Sequence, residues 1–133
     1  MPLLKGGDRV TIKEVSEKYG ISQDTLRYYE RSGIIPPVSR TASGIRDYQQ
    51  SDLGWVELSL CLRNAGVSVQ AIAEYVRLAL EGDGTITDRL NILRGERESL
   101  YEQKTQLCAA LDRLDYKIAL YEQKLCRLSK EDK

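Results

Sequence analysis

The sequence predicts a mostly α protein: a winged helix-turn-helix head with a small β-hairpin wing over residues 1–82, then a hinge and a long C-terminal coiled-coil helix over residues 83–133. Three features of the pattern carry that expectation. Two short helix signals lie end to end, the first closed by Gly20 and the second by Gly33. A proline-interrupted segment without acidic residues follows, with Gly44 near the tip of its polar part. Beyond Thr85 proline disappears, Gly95 is the one remaining glycine, and apolar residues come to recur at alternating steps of four and three.

Thr11 and Glu14 have the spacing of a capping box, in which the Thr oxygen accepts a backbone N–H and the Glu three residues on reaches back. The helix that follows covers about residues 12–19 and carries Ile12, Val15 and Tyr19 on one apolar face. After Gly20, Ser22 can cap a second helix over about residues 23–32. Asp24 falls in its first turn, where the helix dipole favours an anion, and Leu26 points into the core. The helix reads Leu26-Arg27-Tyr28-Tyr29-Glu30 through its middle. In a helix-turn-helix the early residues of the second helix are those that reach base edges and phosphates. Tyr28 and Tyr29 can both be core aromatics in principle, but adjacent helical positions point about 100° apart, so at least one should leave the core.

Ile34-Ile35-Pro36-Pro37-Val38 cannot continue a helix, because proline removes donors and pushes the preceding residue towards extended geometry. With the polar run from Ser39 to Tyr48 it reads as a β-hairpin wing over about residues 34–48. Between Glu30 and Asp47 the chain carries Arg31, Arg40 and Arg46 and no acid. Arg40 and Arg46 fall on opposite sides of the turn, placed to grip a nucleic-acid backbone beside a groove or to reach into the minor groove; solvated loop charges are the plainer alternative. Ser51 and Asp52 start a third helix over about residues 53–65, with Leu53, Val56 and Leu60 packing behind the first two, and Gly66 stops it. Ser68 caps a fourth over about residues 69–81, with Ile72, Tyr75, Val76 and Leu80 at helical spacing. Trp55 fits the head core or the lining of a small pocket. Gly82 and Gly84 mark the hinge.

The heptad seam runs through Leu107, Leu111, Leu114, Ile118, Tyr121, Leu125 and Leu128. Carried backwards it takes in Leu90, Leu93 and Leu100, and places Arg97 and Lys104 at seam positions that are normally apolar, where they set register or orientation at some cost in stability. A lone helix of this length has nothing to bury its stripe against. A second copy is the economical partner, and a seam folded back on the chain's own head is the alternative.

Composition narrows the function. With 20 basic and 20 acidic residues the chain has no uniformly basic surface, so any contact with DNA must come from placed arginines. Three cysteines at irregular spacing, Cys61, Cys108 and Cys126, suggest neither a disulfide framework nor a zinc knuckle, and fit a reducing, cytoplasmic setting. The N-terminal residues carry no apolar run long enough for a signal peptide or membrane span. Histidine is absent and no nucleophile and base pair is visible, so neither an enzyme nor a cofactor or metal site is expected.

The string Leu26-Arg27-Tyr28-Tyr29-Glu30 closing at Gly33, then Pro36, Arg40, Gly44, Arg46 and Tyr48, closely resembles the head of the mercury-resistance-regulator (MerR) family, and the later Leu62-Arg63-Asn64-Ala65-Gly66 and the long helix extend the resemblance over essentially the whole chain. That resemblance implies a dimer joined by antiparallel pairing of the long dimerisation helices and bound to a pseudo-palindromic promoter operator. Arg27 and Tyr28 would then contact the major groove, and Tyr29 would support the helix or contact the backbone. Arg40 and Arg46 would hold flanking phosphates, and Arg63 would touch a phosphate near the end of the third helix. It also implies activation by bending and undertwisting of a promoter whose elements are spaced too widely, with RNA polymerase reached through the DNA alone. An architectural or excisionase-like DNA bender without an effector is the competing function.

Metal-sensing relatives carry a ligand cysteine where this chain reads Gly84-Thr85-Ile86-Thr87-Asp88-Arg89, so a thiolate metal site is not expected there. The sequence ends soon after Leu128, which leaves no room for the drug-binding domain of multidrug-responsive relatives. Cys61 matches the lone head cysteine of the subgroup similar to aldehyde- and nitrosative-stress regulators, which makes it the candidate electrophile or redox sensor. Its plain alternative is a small buried hydrophobe on the inner face of the third helix. Cys108 and Cys126 flank the seam as packing or surface residues.

Overall fold

The computed structural model describes residues 9–131; the first eight residues, with the absence of a leader read from them, and the last two lie outside the described residues. Five α-helices are found in the described chain: α1 (Ile12–Tyr19), α2 (Gln23–Ser32), α3 (Gln50–Asn64), α4 (Val69–Glu81) and α5 (Ile86–Glu131), with a 3-10 turn at Asp83–Thr85.

Local chemistry sets the first two helices. Both halves of the capping box form on α1: the Glu14 N–H donates to Thr11 Oγ1 at 3.1 Å, and the Thr11 N–H donates to Glu14 Oε1 at 3.0 Å. A turn of Gly20, Ile21 and Ser22 leads to α2, whose first orphan donors are met when the Thr25 N–H bonds Ser22 Oγ at 3.0 Å. Gly33 ends α2 at φ 84°, a left-handed geometry that glycine takes without a Cβ penalty. The Ile34 and Ile35 N–H groups then turn back to the Tyr29 carbonyl, so both isoleucines enter the core directly.

Helix α3 starts at Gln50, three residues before the expected position. The reason is Asp52, whose carboxylate accepts the Gln49 N–H at 2.8 Å and so caps the helix from within its own first turn. The core draws Val15 from α1, Leu26 and Tyr29 from α2, Leu53 and Val56 from α3, and Ile72 and Val76 from α4. Each such side chain contributes roughly 1.5–3 kcal/mol by leaving water. The buried Ser59 hydroxyl is satisfied by donating to the Ile34 carbonyl. Leu80, expected on the inner face of α4, is exposed, and Leu78 is buried instead. The end of α4 is tied to the turn that follows it, where Thr85 Oγ1 donates to the Leu78 carbonyl at 2.6 Å.

The wing is shorter than a hairpin of paired strands. Its pairing is a single antiparallel bridge between Arg40 and Arg46, closed by Thr41 N–H to the Ile45 carbonyl at 2.8 Å and Asp47 N–H to the Ser39 carbonyl at 2.7 Å. No longer ladder forms because the neighbouring donors are committed elsewhere. Pro36 and Pro37 have none, the Val38 N–H bonds Glu30 of α2 at 2.9 Å, and the Ser39 N–H bonds Asp52 of α3 at 3.3 Å.

The chain divides into two compact units, one reaching to Leu93 and one beginning at Arg94. In the first, the break at Gly82 is braced. Thr85 Oγ1 lies 2.7 Å from the Gly82 carbonyl oxygen and shares its one proton between that carbonyl and Leu78's, Arg89 Nη2 donates to the Gly82 carbonyl at 3.1 Å, and Arg89 Nε donates to Thr85 Oγ1 at 3.1 Å. Helix α5 is 46 residues long, or about 70 Å at the usual rise, and none of its residues is buried. Leu107, Leu111, Leu114, Ile118, Tyr121, Leu125 and Leu128 all stand exposed along it. Among the described residues no helix is long and apolar enough to cross a membrane.

Candidate nucleic-acid interface

Helix α2 separates its two tyrosines as the 100° rule requires. Tyr29 is 6% exposed and belongs to the core, whereas Tyr28 is 42% exposed with the Arg31 guanidinium 5.6 Å from its ring centroid. Burial pushes the Tyr29 phenol up from its ordinary pKa, and the nearby Arg63 cation partly offsets this. Of the two roles expected for Tyr29, its burial fits support of the helix. Arg27 leans back along the helix and donates from Nη1 to Asp24 Oδ1 at 3.0 Å and from Nη2 to Gln23 Oε1 at 3.4 Å. An exposed pair of this kind is worth little, about 0–1 kcal/mol, so its cation is readily exchanged for a phosphate or a base edge.

Beside α2, the bridge places Arg40 and Arg46 opposite each other with their side chains on one face. Both converge on Glu30. Arg46 Nε donates to Glu30 Oε1 at 2.9 Å, Arg40 Nη2 lies 3.9 Å from Glu30 Oε2, and Arg40 Nη1 donates to the Gly44 carbonyl at 2.9 Å. The Glu30 side chain is 13% exposed, against 25% for Arg46 and 44% for Arg40. Behind them Tyr48 is fully buried, and among the described residues its hydroxyl finds no hydrogen-bond partner. Burial pushes its phenol up, with Arg46 opposing and Glu30 and Asp52 reinforcing the shift.

The other expected site residues lie apart from this cluster. Arg63, near the end of α3, is exposed and donates from Nη1 to the Val67 carbonyl at 2.7 Å, across the turn into α4. Cys61 is exposed, so it is not the buried hydrophobe of the plainer reading; Cys108 and Cys126 are exposed as well. Trp55 is partly buried against the core, its ring edge-on to Tyr75 at a centroid distance of 6.3 Å. Among the described residues no group of three or more acidic or cysteine side chains is placed to hold a metal.

Sequence reasoning passed over Glu30 and Asp52 as site residues. A signal for the first was present: Glu30 is the acid that borders the acid-free run containing Arg31, Arg40 and Arg46. Asp52 gave none, because its partner Ser39 lies 13 residues away.

A short helix pair whose second member exposes Tyr28 and leaves the Arg27 side chain half-exposed, with two arginines held beside it on a closed loop, defines a helix-turn-helix protein of the DNA-binding class. A family model described as MerR HTH family regulatory protein matches residues 10–79. Over 93 residues the chain is 50% identical to the HTH-type transcriptional regulator AdhR of Bacillus subtilis (strain 168), covering 70% of this chain and 66% of that relative's own length. A crystal structure of a MerR family transcriptional regulator from Listeria monocytogenes matches with TM-score 0.87 and 42% identity over 92% of both chains. HiNmlR, described as a MerR family regulator lacking the sensor domain and bound to promoter DNA, matches with TM-score 0.79 and 35% identity over 87% of this chain and 92% of that one. The chain belongs to the MerR family: it is a DNA-binding transcription regulator and not an enzyme.

Proposed function

We propose that two copies of the chain, joined through residues 83–133, place two heads of residues 1–82 on a pseudo-palindromic operator within a promoter and activate transcription by bending and undertwisting that DNA. The observation that carries this reading is the juxtaposition on the head: Arg27 and Tyr28 exposed on α2, with Arg40 and Arg46 bridged beside them. Arg27 and Tyr28 contact the major groove and Tyr29 supports them from the core. Arg40 and Arg46 hold flanking phosphates, and Arg63 adds a phosphate contact at the end of α3. The exposed seam of α5 supports a second copy as partner, since seven apolar side chains from Leu107 to Leu128 otherwise face water. RNA polymerase is reached through the shape of the DNA and needs no surface of its own here.

Transcription from the cognate promoter by purified protein and polymerase tests the reading, with binding followed in the same samples. Arg27→Ala and Tyr28→Ala should weaken specific binding, and Arg40→Ala and Arg46→Ala should lower affinity and flatten its salt dependence. Unchanged operator binding in all four variants would sink the docking. The exposed Cys61 thiol is the proposed sensor of an electrophile or oxidant, and Cys61→Ser should abolish the response to an added aldehyde while sparing DNA binding. A second reading, a DNA bender without an effector, is favoured by the likeness to HiNmlR, a regulator described as lacking the sensor domain. Promoter output that never changes in the presence of bound protein would select it.

A further inference from the structure

We infer that Glu30 is a positioning residue for DNA recognition: its carboxylate ties the wing to α2, so that the wing arginines grip DNA in one register with the reading helix. The inference rests on the proposal that Arg40 and Arg46 hold phosphates. Four observations carry it. Glu30 stands on α2 two residues after Tyr28, yet its bonds go to the wing: Oε2 accepts the Val38 N–H at 2.9 Å and Oε1 accepts Arg46 Nε at 2.9 Å. It is the more buried member of its pairs with Arg40 and Arg46. Arg46 uses Nε, and its two terminal nitrogens make no hydrogen bond among the described residues, so Glu30 can fix the guanidinium plane while the outer edge stays available to a phosphate. The next amide along, Ser39 N–H, is held by Asp52 of α3, so consecutive wing amides are clamped from two different helices.

Charge alone argues against this residue, and the sign of its effect is therefore informative. An acid beside two phosphate-binding arginines cancels one of their two charges and repels DNA, so a surface built for bulk attraction would do better without it. A positioning role predicts the reverse for cognate DNA. Losing the carboxylate frees the wing, and the ordering cost that Glu30 had met within the folded protein then falls on the complex.

The experiment uses the full chain and two duplexes, one selected by the wild-type protein from a random-sequence pool and one of unselected alternating sequence. Affinity for each is measured on a single preparation of each variant, so that any loss of folded protein cancels in their ratio. Glu30→Gln cannot serve both donors, because its one amide oxygen replaces two carboxylate oxygens and its NH2 faces a donor. We expect it to lower the selected-to-unselected ratio at least about fivefold while unselected binding stays equal or tightens. Glu30→Asp, which keeps the charge and loses reach, should lower the ratio as well. In an Arg46→Ala background the Glu30→Gln effect should shrink to less than half, since the two residues act together. An unchanged ratio in Glu30→Gln, a wild-type ratio in Glu30→Asp, or full additivity with Arg46→Ala would each overturn the positioning role while leaving the arginine contacts standing. Wild-type binding by both Arg40→Ala and Arg46→Ala would take down the arginine contacts and this inference together.

Discussion

Helix α2 is ten residues long and hides Leu26 and Tyr29; helix α5 is 46 residues long and hides nothing. The contrast extends to the regions they represent. Each of α1 to α4 is capped by a side chain or by its own first turn, and each sends at least one residue into a shared interior. Beyond Leu93 the sequence is just as rich in helix formers, yet its apolar stripe remains on the surface. Isolated helices owe little to propensity and much to packing. The head therefore carries the reasons for its fold within itself, whereas the stripe of α5 is left for the second copy proposed above.

That difference can be broken from either side. The largest effect is expected from Leu111→Asp combined with Leu114→Asp. In the proposed dimer four leucines would be lost, worth about 6 kcal/mol or more by the usual range of 1.5–3 for each. Sedimentation should then show a monomer, and circular dichroism a loss of helix, with the near-ultraviolet signal of the Trp55 and Tyr75 pair retained. Leu26→Ala attacks the other region. Leu26 is fully buried, and its truncation should cost the head about 2–5 kcal/mol in denaturant titration. Thr11→Ala removes one half of the α1 capping box and should cost about 1 kcal/mol by the same measurement.

Two smaller effects sharpen the picture of the head. Burial, with the Glu57 carboxylate that accepts its hydroxyl at 2.9 Å, pushes the Tyr19 pKa from 10.0 up to about 12. The fold thus favours the protonated phenol. Its contribution to stability is complete below pH 10 and disappears as the pH rises towards 12, so stability followed by denaturant titration through that window should fall less steeply in Tyr19→Phe than in the wild type. Tyr48→Phe removes a buried hydroxyl that has no partner among the described residues, and should change stability by no more than about 1 kcal/mol, in the stabilising direction.

What the sequence revealed follows the range of the interactions. The ends of α1, α2 and α4 were legible because Thr11, Ser22, Ser68, Gly20 and Gly33 act within a turn of where they stand. The start of α3 was misplaced by three residues because Gln49 is not a usual cap, and the carboxylate that serves it comes from Asp52. The extent of the wing was set by Glu30 and Asp52, which stand 8 and 13 residues from the amides they hold. That Arg40 and Arg46 stand either side of the turn could be read, but neither the bridge that pairs them nor the acid that joins them could. The choice between Tyr28 and Tyr29 required the packed core, since either ring satisfies the pattern alone.

Gly82 sits at φ 101° and ψ −166°, a region that only glycine occupies with ease, and a Cβ built there would meet no atom within 4 Å. Tolerance at this position is therefore decided by the backbone and is blind to size. Alanine, serine and leucine should incur nearly the same penalty, and the substitutions other than proline, which also removes the N–H that bonds the Ala79 carbonyl, would give a level profile below glycine. At a packed site such as Leu26 the same set would instead be graded by volume.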